Sequence, residues 1–223
     1  MLVSRQGRKP FTSSKVCADV CAEVCAMIAA ARSDLSVGSV VAAFEVMGRY
    51  LRERELLGEI AVYGRTAILL QFRWGNPTED VDVVIRTVER EGAVKDAAAY
   101  AALRLGLPDD WLNNYVGAFT AENESESFFS TYGAYPRGET PGLRVFLAKP
   151  EYICAMKLKA LQRETVDDKD FEDAARLAVE IGIDGTDDLL RLFASYFPGE
   201  RLDRAAAARL PEVAAAVRSR RRS

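Results

Sequence analysis

Histidine is missing from this chain of 223 residues. Its absence excludes Ser-His-Asp and Cys-His catalysis, histidine-ligated zinc and imidazole general bases, because all of these need an imidazole ring. Any chemistry must therefore come from carboxylates, lysine, arginine, tyrosine, hydroxyl groups or a bound metal ion.

Long apolar runs are missing as well. No stretch approaches the roughly 18 to 20 residues that span a bilayer, and Asp19 and Glu23 interrupt the one run near the N-terminus that could serve as a signal peptide. With 49% hydrophobic and 28% charged residues, the composition is that of a globular protein able to bury a sizeable core. We therefore expect a cytoplasmic protein without a membrane partner.

Cysteine is scarce, with four residues, and three of them form a pattern. Cys17, Cys21 and Cys25 recur every fourth residue, which places them along one stripe of a helix. A disulfide framework is not expected in a reducing compartment, and a zinc site would need a fourth ligand and a turn. We interpret the three as small buried hydrophobic residues.

An excess of positive charge is also lacking, since the formal net charge is -3. The chain as a whole is therefore not an electrostatic nucleic-acid binder. Basic residues concentrate at the two ends, in Arg5, Arg8 and Lys9 and in the tail 218–223. Such ends could contact RNA phosphates. We interpret them as solvated, and the acidic balance disfavours a DNA-binding regulator.

Apolar periodicity and turn residues predict helices on both sides of a short β-rich middle. The fold class is therefore α+β, a small mixed sheet with flanking helices and an α-helical C-terminal lobe. A polar segment, 121–127, is expected to be a mobile loop. The predicted strands are 60–63, 81–85 and 143–148, and the predicted helices are 12–32, 36–58, 66–72, 91–105, 150–163, 168–181, 187–196 and 201–218.

The same pattern predicts four parts. N-terminal helices in 1–58 are expected to pack on a sheet core in 59–149. A helical lobe in 150–217 follows, and the basic tail 218–223 ends the chain. No internal repeat is present in the sequence.

Two acids stand at the start of a predicted core strand, because Asp80 and Asp82 flank Val81 before a run of apolar residues. Alternate side chains of a strand share a face, so the two carboxylates lie about 6 to 7 Å apart and repel each other unless a cation sits between them. Mg²⁺ or Mn²⁺ is the natural occupant, since such ions take carboxylate oxygens and complete their shell with water and phosphates. The plain alternative is a solvated strand end with Asp80 capping a turn.

A glycine lies upstream at the junction of a predicted strand and helix, in the run Val-Tyr-Gly-Arg-Thr-Ala at 62–67. Gly64 would let backbone N–H groups and the start of the helix approach a triphosphate. Taken alone, the same residue is more typical of a plain tight turn. The combination of this junction with the acidic pair indicates a function far more specifically than either motif does alone.

Residues 64–67 and 78–83, Gly-Arg-Thr-Ala and Thr-Glu-Asp-Val-Asp-Val, together resemble the signature of the DNA polymerase beta-type nucleotidyltransferase superfamily. More narrowly, the chain resembles the bacterial AbiEii-like branch, which includes type IV toxin–antitoxin toxins and their MenT-type relatives. The Asp-Trp-Leu-Asn segment at 110–113 and the run 148–173 extend the resemblance to roughly 58–183. It departs from the pattern at Arg65, where a small residue is expected, and at Asn76, where relatives often carry arginine.

The resemblance implies roles for individual residues. Asp80 and Asp82 would hold the metal, and Lys157 would approach the triphosphate, with Lys159 as the second candidate. Lys159 and Arg163 fit a solvated basic face equally well. Asp170 would be a third acid or would anchor Lys157, although acids at a helix start are ordinary. The residues expected to contact the nucleotide are Gly64, Arg65, Thr66, Thr78, Asn113 and Lys159.

The activity that the resemblance implies is metal-dependent transfer of a nucleoside monophosphate (NMP) from a nucleoside triphosphate (NTP) to a hydroxyl. The acceptor would be RNA, with the tRNA 3′ end as one candidate, or a protein side chain. The protein would then be the toxin of a toxin–antitoxin or phage-defence pair and would have a cognate antitoxin as partner. The alternative, favoured by Arg65, is a catalytically silent member of the fold that acts as a nucleotide sensor or binding partner.

Overall fold

The computed structural model of the chain describes residues 35–72, 74, 78–87, 91–163 and 168–222. The helix predicted for 12–32, its cysteine stripe, the basic residues near the N-terminus and Asn76 all lie outside the described residues. Within the described part of the chain no helix is both long enough and apolar enough to cross a membrane.

Seven α-helices and five β-strands make up the part of the chain that the structure describes, which confirms the α+β class. The helices are α1 (Val37–Arg52), α2 (Gly64–Phe72), α3 (Glu91–Leu105), α4 (Pro150–Ala160), α5 (Asp168–Glu180), α6 (Thr186–Tyr196) and α7 (Arg204–Arg220). The strands are β1 (Gly58–Val62), β2 (Val81–Ile85), β3 (Leu112–Asn113), β4 (Phe129–Tyr135) and β5 (Leu143–Ala148).

The five strands form one mixed sheet in the order β3-β2-β1-β5-β4. Strand β1 lies at the centre, parallel to β5 and antiparallel to β2, and β2 in turn is parallel to β3. Ile60, Ala61 and Val62 of β1 are completely buried. The apolar runs of β1, β2 and β5 therefore form the centre of the core, and the acidic pair stands where β2 begins.

Helix α1 begins at a capping box, in which the Ser36 and Ser39 side chains each accept a hydrogen bond from the other residue's backbone N–H. The helix ends at Arg52, six residues before the predicted end, because a run of alternating Arg and Glu cannot extend its apolar stripe. Gly48 brings α1 close to β4, since a Cβ at this position would lie 2.5 Å from the Tyr135 carbonyl.

Strand β4 was not expected from the sequence. Its pairing with β5 shifts in register between Thr131 and Gly133, so the alternation of buried and exposed side chains is broken in mid-strand. It is also an edge strand, and most of its side chains are only partly buried or exposed. The short strand β3 is also missing from the predicted strands, because two residues carry no periodic signal.

The C-terminal arginines do not form the predicted tail. Helix α7 continues to Arg220, and Arg220 and Arg221 pair with Glu172 and Asp184, respectively. The last helix therefore runs two residues past its predicted end at 218, and these charges tie it to α5 and to the turn after it. The sheet and the C-terminal helices belong to one compact unit, Leu35–Ser223.

Glu124 ties the polar segment 121–127 to the core, and the expected mobility of this segment stays a prediction. The Tyr63 hydroxyl donates hydrogen bonds of 2.9 and 3.0 Å to the two Glu124 carboxylate oxygens, and the Tyr152 hydroxyl donates one of 2.6 Å. The Ala121 N–H donates to the Tyr152 hydroxyl at 2.8 Å. Burial raises the pKa of both tyrosines far above the ordinary value, with Glu124 adding to the effect, so both remain donors.

Glu124→Ala should lower the free energy of unfolding by about 2 kcal/mol, because it leaves two buried tyrosine hydroxyls without their acceptor. Glu124→Gln, which keeps one acceptor oxygen, should lose less. Urea denaturation of each variant measures the effect. Glu122→Ala is the matched control, since that side chain is exposed in the same segment. Equal stability of the Glu124 and Glu122 variants would contradict the anchoring role.

Candidate functional site

The backbone of Asp80 is held by two buried threonines. Thr66 Oγ1 and Thr78 Oγ1 each donate a hydrogen bond of 2.9 Å to the Asp80 carbonyl oxygen. The two residues are only 1% and 7% exposed. Both were expected to contact a nucleotide, but the structure directs their hydroxyls to the Asp80 backbone. Both threonines therefore position the acidic pair through the backbone of Asp80.

Asn113 holds the side chain of Asp80. It lies opposite Asp82 in the pairing of β2 with β3, and its Nδ2 donates to Asp80 Oδ2 at 2.8 Å. Its Oδ1 accepts a hydrogen bond of 2.9 Å from the Tyr115 backbone N–H. The residue expected to contact the nucleotide directly therefore fixes one carboxylate oxygen of the acidic pair and the turn that follows β3.

Gly64 makes room for Asp82. Its φ of +58° lies in the left-handed region, and a Cβ built on it would stand 2.8 Å from Asp82 Oδ2. Both constraints require glycine at this position. The strand–glycine–helix junction is thus confirmed as a local structure. Its observed contact is with the acidic pair, and the predicted contact with phosphate remains a prediction.

The two carboxylates are destabilised as a charged pair. Burial, and next the neighbouring charge of Asp80, raise the pKa of Asp82 from 3.8 to about 6, while Lys157 and Arg163 act in the opposite direction. Like charges that are held together in this way favour a bound cation. Two hard oxygen donors fit Mg²⁺, which is commonly held by one or two carboxylates and completed by water and phosphates.

A metal cage built from protein side chains alone is absent from the described residues, where no group of three or more Cys, Asp or Glu side chains is placed to hold an ion. Asp170 pairs with two cations of the cleft. Its Oδ1 lies 2.6 Å from Lys157 Nζ and its Oδ2 lies 3.6 Å from Arg163 Nη1. Of the two roles considered for Asp170, the structure therefore matches the anchoring of Lys157.

Three cations surround two buried carboxylates where α4 packs on α5. Lys157 Nζ lies 2.6 Å from Asp170 Oδ1 and 3.2 Å from Asp173 Oδ2. Arg65 Nη2 lies 3.3 Å from the same Asp173 oxygen. With Arg163, the cluster carries one net positive charge next to Asp82. In the sequence, Asp173 looks like ordinary helix-start chemistry, although its spacing of three residues from Asp170 is the signal that the two share a face.

Lys159 does not join this cluster. Its Nζ lies 2.9 Å from a Glu200 carboxylate oxygen and 4.4 Å from the centre of the Phe197 ring. Arg163 follows the end of α4 and lines the cleft, so the helical face expected for Lys159 and Arg163 does not exist. Sequence spacing alone could not show that the two side chains are separated, because the helix was predicted to run to 163.

A cleft of about 200 Å³ opens beside Asp82. Its polar and charged lining consists of Gly64, Asp82, Lys157, Arg163 and Asp170. Its apolar lining includes Tyr115, Val116, Phe119 and Met156. Of the predicted site residues, the structure thus brings together an acid of the pair, the glycine, the lysine and its anchor.

Comparison with known proteins adds no relative to this picture: no family model matches the chain, and no curated protein or solved structure does. The family resemblance therefore remains a prediction from the sequence motifs.

Gly64→Ala should weaken the stabilisation of the protein by Mg²⁺, because the added Cβ displaces the Asp82 carboxylate. Gly106→Ala is the matched control, since Gly106 has a φ of +66° and a Cβ added there would have no atom within 4 Å. Both variants should lose about 1 kcal/mol through backbone strain. Thermal unfolding with and without Mg²⁺ separates the effects. An equal response of both variants to Mg²⁺ would contradict the crowding of Asp82.

Asp82→Asn should raise the free energy of unfolding at pH 8 without divalent metal by on the order of 1 kcal/mol. The raised pKa means that ionised Asp82 costs stability above about pH 6, and this cost disappears as the pH falls toward 3.8. The advantage of the variant should therefore shrink over that window. Asp96→Asn, on the exposed face of α3, should show no such trend. Added Mg²⁺ should stabilise the wild type and not Asp82→Asn.

Proposed function

We propose that the chain is a Mg²⁺-dependent nucleotidyltransferase that transfers NMP from an NTP to a hydroxyl and releases pyrophosphate. The observation that carries the proposal is the presence, in one cleft, of Asp82 from the acidic pair and of Lys157 held by two buried carboxylates. Acids for a metal and cations for phosphates are what phosphoryl chemistry requires, and histidine is not needed.

Asp80 and Asp82 would hold the metal, which, when bound, neutralises phosphate charge and activates the attacking hydroxyl. The rest of the acidic site is prepared by the chain itself. Asn113 fixes one oxygen of Asp80, and the two threonine hydroxyls fix its carbonyl. Because these contacts exist before substrate binds, little reorganisation is needed at the moment of reaction.

Lys157 and Arg163 would bind the β- and γ-phosphates and stabilise the charge that develops on the leaving pyrophosphate. Both face the cleft, and both lower the pKa of Asp82, so their charge reaches the acidic pair. Asp170 keeps the two cations at the cleft wall. In this arrangement Asp170 and Asp173 act as positioning residues.

The active enzyme is better supported than the catalytically silent alternative. Arg65 was the feature that favoured a silent protein, because a long side chain beside the glycine could block the phosphates. Its guanidinium pairs with Asp173 instead. The second departure, Asn76, lies outside the described residues and supports neither reading.

The acceptor and the biological role rest on the family resemblance alone. We propose RNA, with the tRNA 3′ end as one candidate, or a protein hydroxyl as the acceptor, and a toxin with a cognate antitoxin as the role.

Incubation with each labelled NTP, Mg²⁺ and total RNA or total protein tests the activity. Asp82→Asn and Lys157→Ala should each reduce labelling by about 100-fold or more, because each removes charge that the transition state needs. Lys159→Ala is the matched control on the same helix and should retain labelling, since its side chain pairs with Glu200.

Three results would contradict the proposal. They are labelling that survives Asp82→Asn, equal loss in the two lysine variants, and NTP binding without transfer to any acceptor in the presence of Mg²⁺. The last result would return the silent alternative to first place.

A further inference from the structure

An exposed aromatic side chain lines the cleft. Tyr115 is 71% exposed, and it alone among the exposed large hydrophobic residues of the described chain lines the cleft. Within that part of the chain, its ring contacts no other ring and no cation, and its side chain makes no hydrogen bond, while its backbone N–H donates to Asn113 Oδ1. The ring therefore offers a flat face on which a ligand in the cleft can stack.

The position of Tyr115 is tied to the acidic pair. The Asn113 side chain accepts from the Tyr115 backbone N–H through Oδ1 and donates to Asp80 Oδ2 through Nδ2. One amide group therefore sets the start of the turn that carries Tyr115 relative to a carboxylate of the acidic pair. The turn Tyr115–Ala118 then brings Val116 and the following Phe119 to the same wall.

The apolar wall meets the cations at Phe119. The Arg163 guanidinium lies 4.0 Å from the centre of the Phe119 ring and 3.6 Å from Asp170. The lining of the cleft therefore holds cations and aromatic rings in direct contact. A nucleotide carries the matching groups, a charged phosphate chain and a flat base.

We propose that Tyr115, with the wall formed by Val116, Phe119 and Met156, binds a nucleobase by stacking, while the phosphates attached to it lie toward Lys157 and Arg163. The inference rests on the proposed function, because it takes a nucleotide as the ligand of the cleft. Two bases share this chemistry, that of the incoming NTP and that of the acceptor nucleotide at an RNA 3′ end.

Calorimetric titration in the presence of Mg²⁺ tests the stacking. It compares the affinity for a non-hydrolysable NTP analogue with the affinity for inorganic tripolyphosphate. Tripolyphosphate supplies the charge without the base. Tyr115→Ala should weaken binding of the NTP analogue by roughly 5- to 150-fold and leave tripolyphosphate binding unchanged. Tyr115→Phe should keep the affinity of the wild type, because the ring remains. Tyr100→Ala removes a tyrosine from α3, outside the cleft, and should change neither affinity.

A second arm titrates the same variants with a short RNA and with the same RNA lacking its 3′-terminal base. A loss confined to this arm, and only for the RNA with its base, supports the stacking site and assigns it to the acceptor. No loss for Tyr115→Ala in either arm overturns the inference while leaving the proposed function intact. A wild type that binds neither the NTP analogue nor tripolyphosphate overturns both. Circular dichroism confirms that each variant is folded.

Discussion

Two carboxylates on one side of a strand repel each other, and much of the surrounding chain holds Asp80 and Asp82 together despite that repulsion. Two buried threonines and Asn113 fix Asp80, and Gly64 leaves the space that Asp82 occupies. The cost is visible in the raised pKa of Asp82. A protein that retains such an arrangement gives up stability for a site that is complete only with a cation.

The cations of the cleft are also held in place by neighbouring groups, in this case by carboxylates. Lys157 is placed between Asp170 and Asp173, so its position is determined by two helices that pack together. Partly buried ion pairs add little net stability, but they fix geometry, because a misplaced charge would lie unpaired in a desolvated site. The cluster therefore sets where a phosphate can bind, more than how stable the fold is.

Local signals in the sequence were enough to predict β2, β5 and α3, whose apolar runs end at clear turn residues. The fold class followed from the order of the predicted helices and strands. Strand β4 escaped because a register shift breaks its alternation. The role of Thr66 depends on a carbonyl 14 residues away, and that of Glu124 on two tyrosines distant in sequence. The shared face expected for Lys159 and Arg163 was wrong because the helix ends at Ala160, before Arg163. Such long-range contacts carry no local signature, whereas the acidic pair and Lys157 did.

Glu124 also connects two segments of the chain through its hydrogen bonds to Tyr63 and Tyr152. Tyr63 directly precedes Gly64 and Tyr152 directly precedes Ile153, and Gly64 and Ile153 both line the cleft. One carboxylate therefore ties two cleft-lining segments together, from a surface segment that does not line the cleft itself. A protein or an engineered cross-link that binds this segment would therefore change the width of the cleft without competing for its contents.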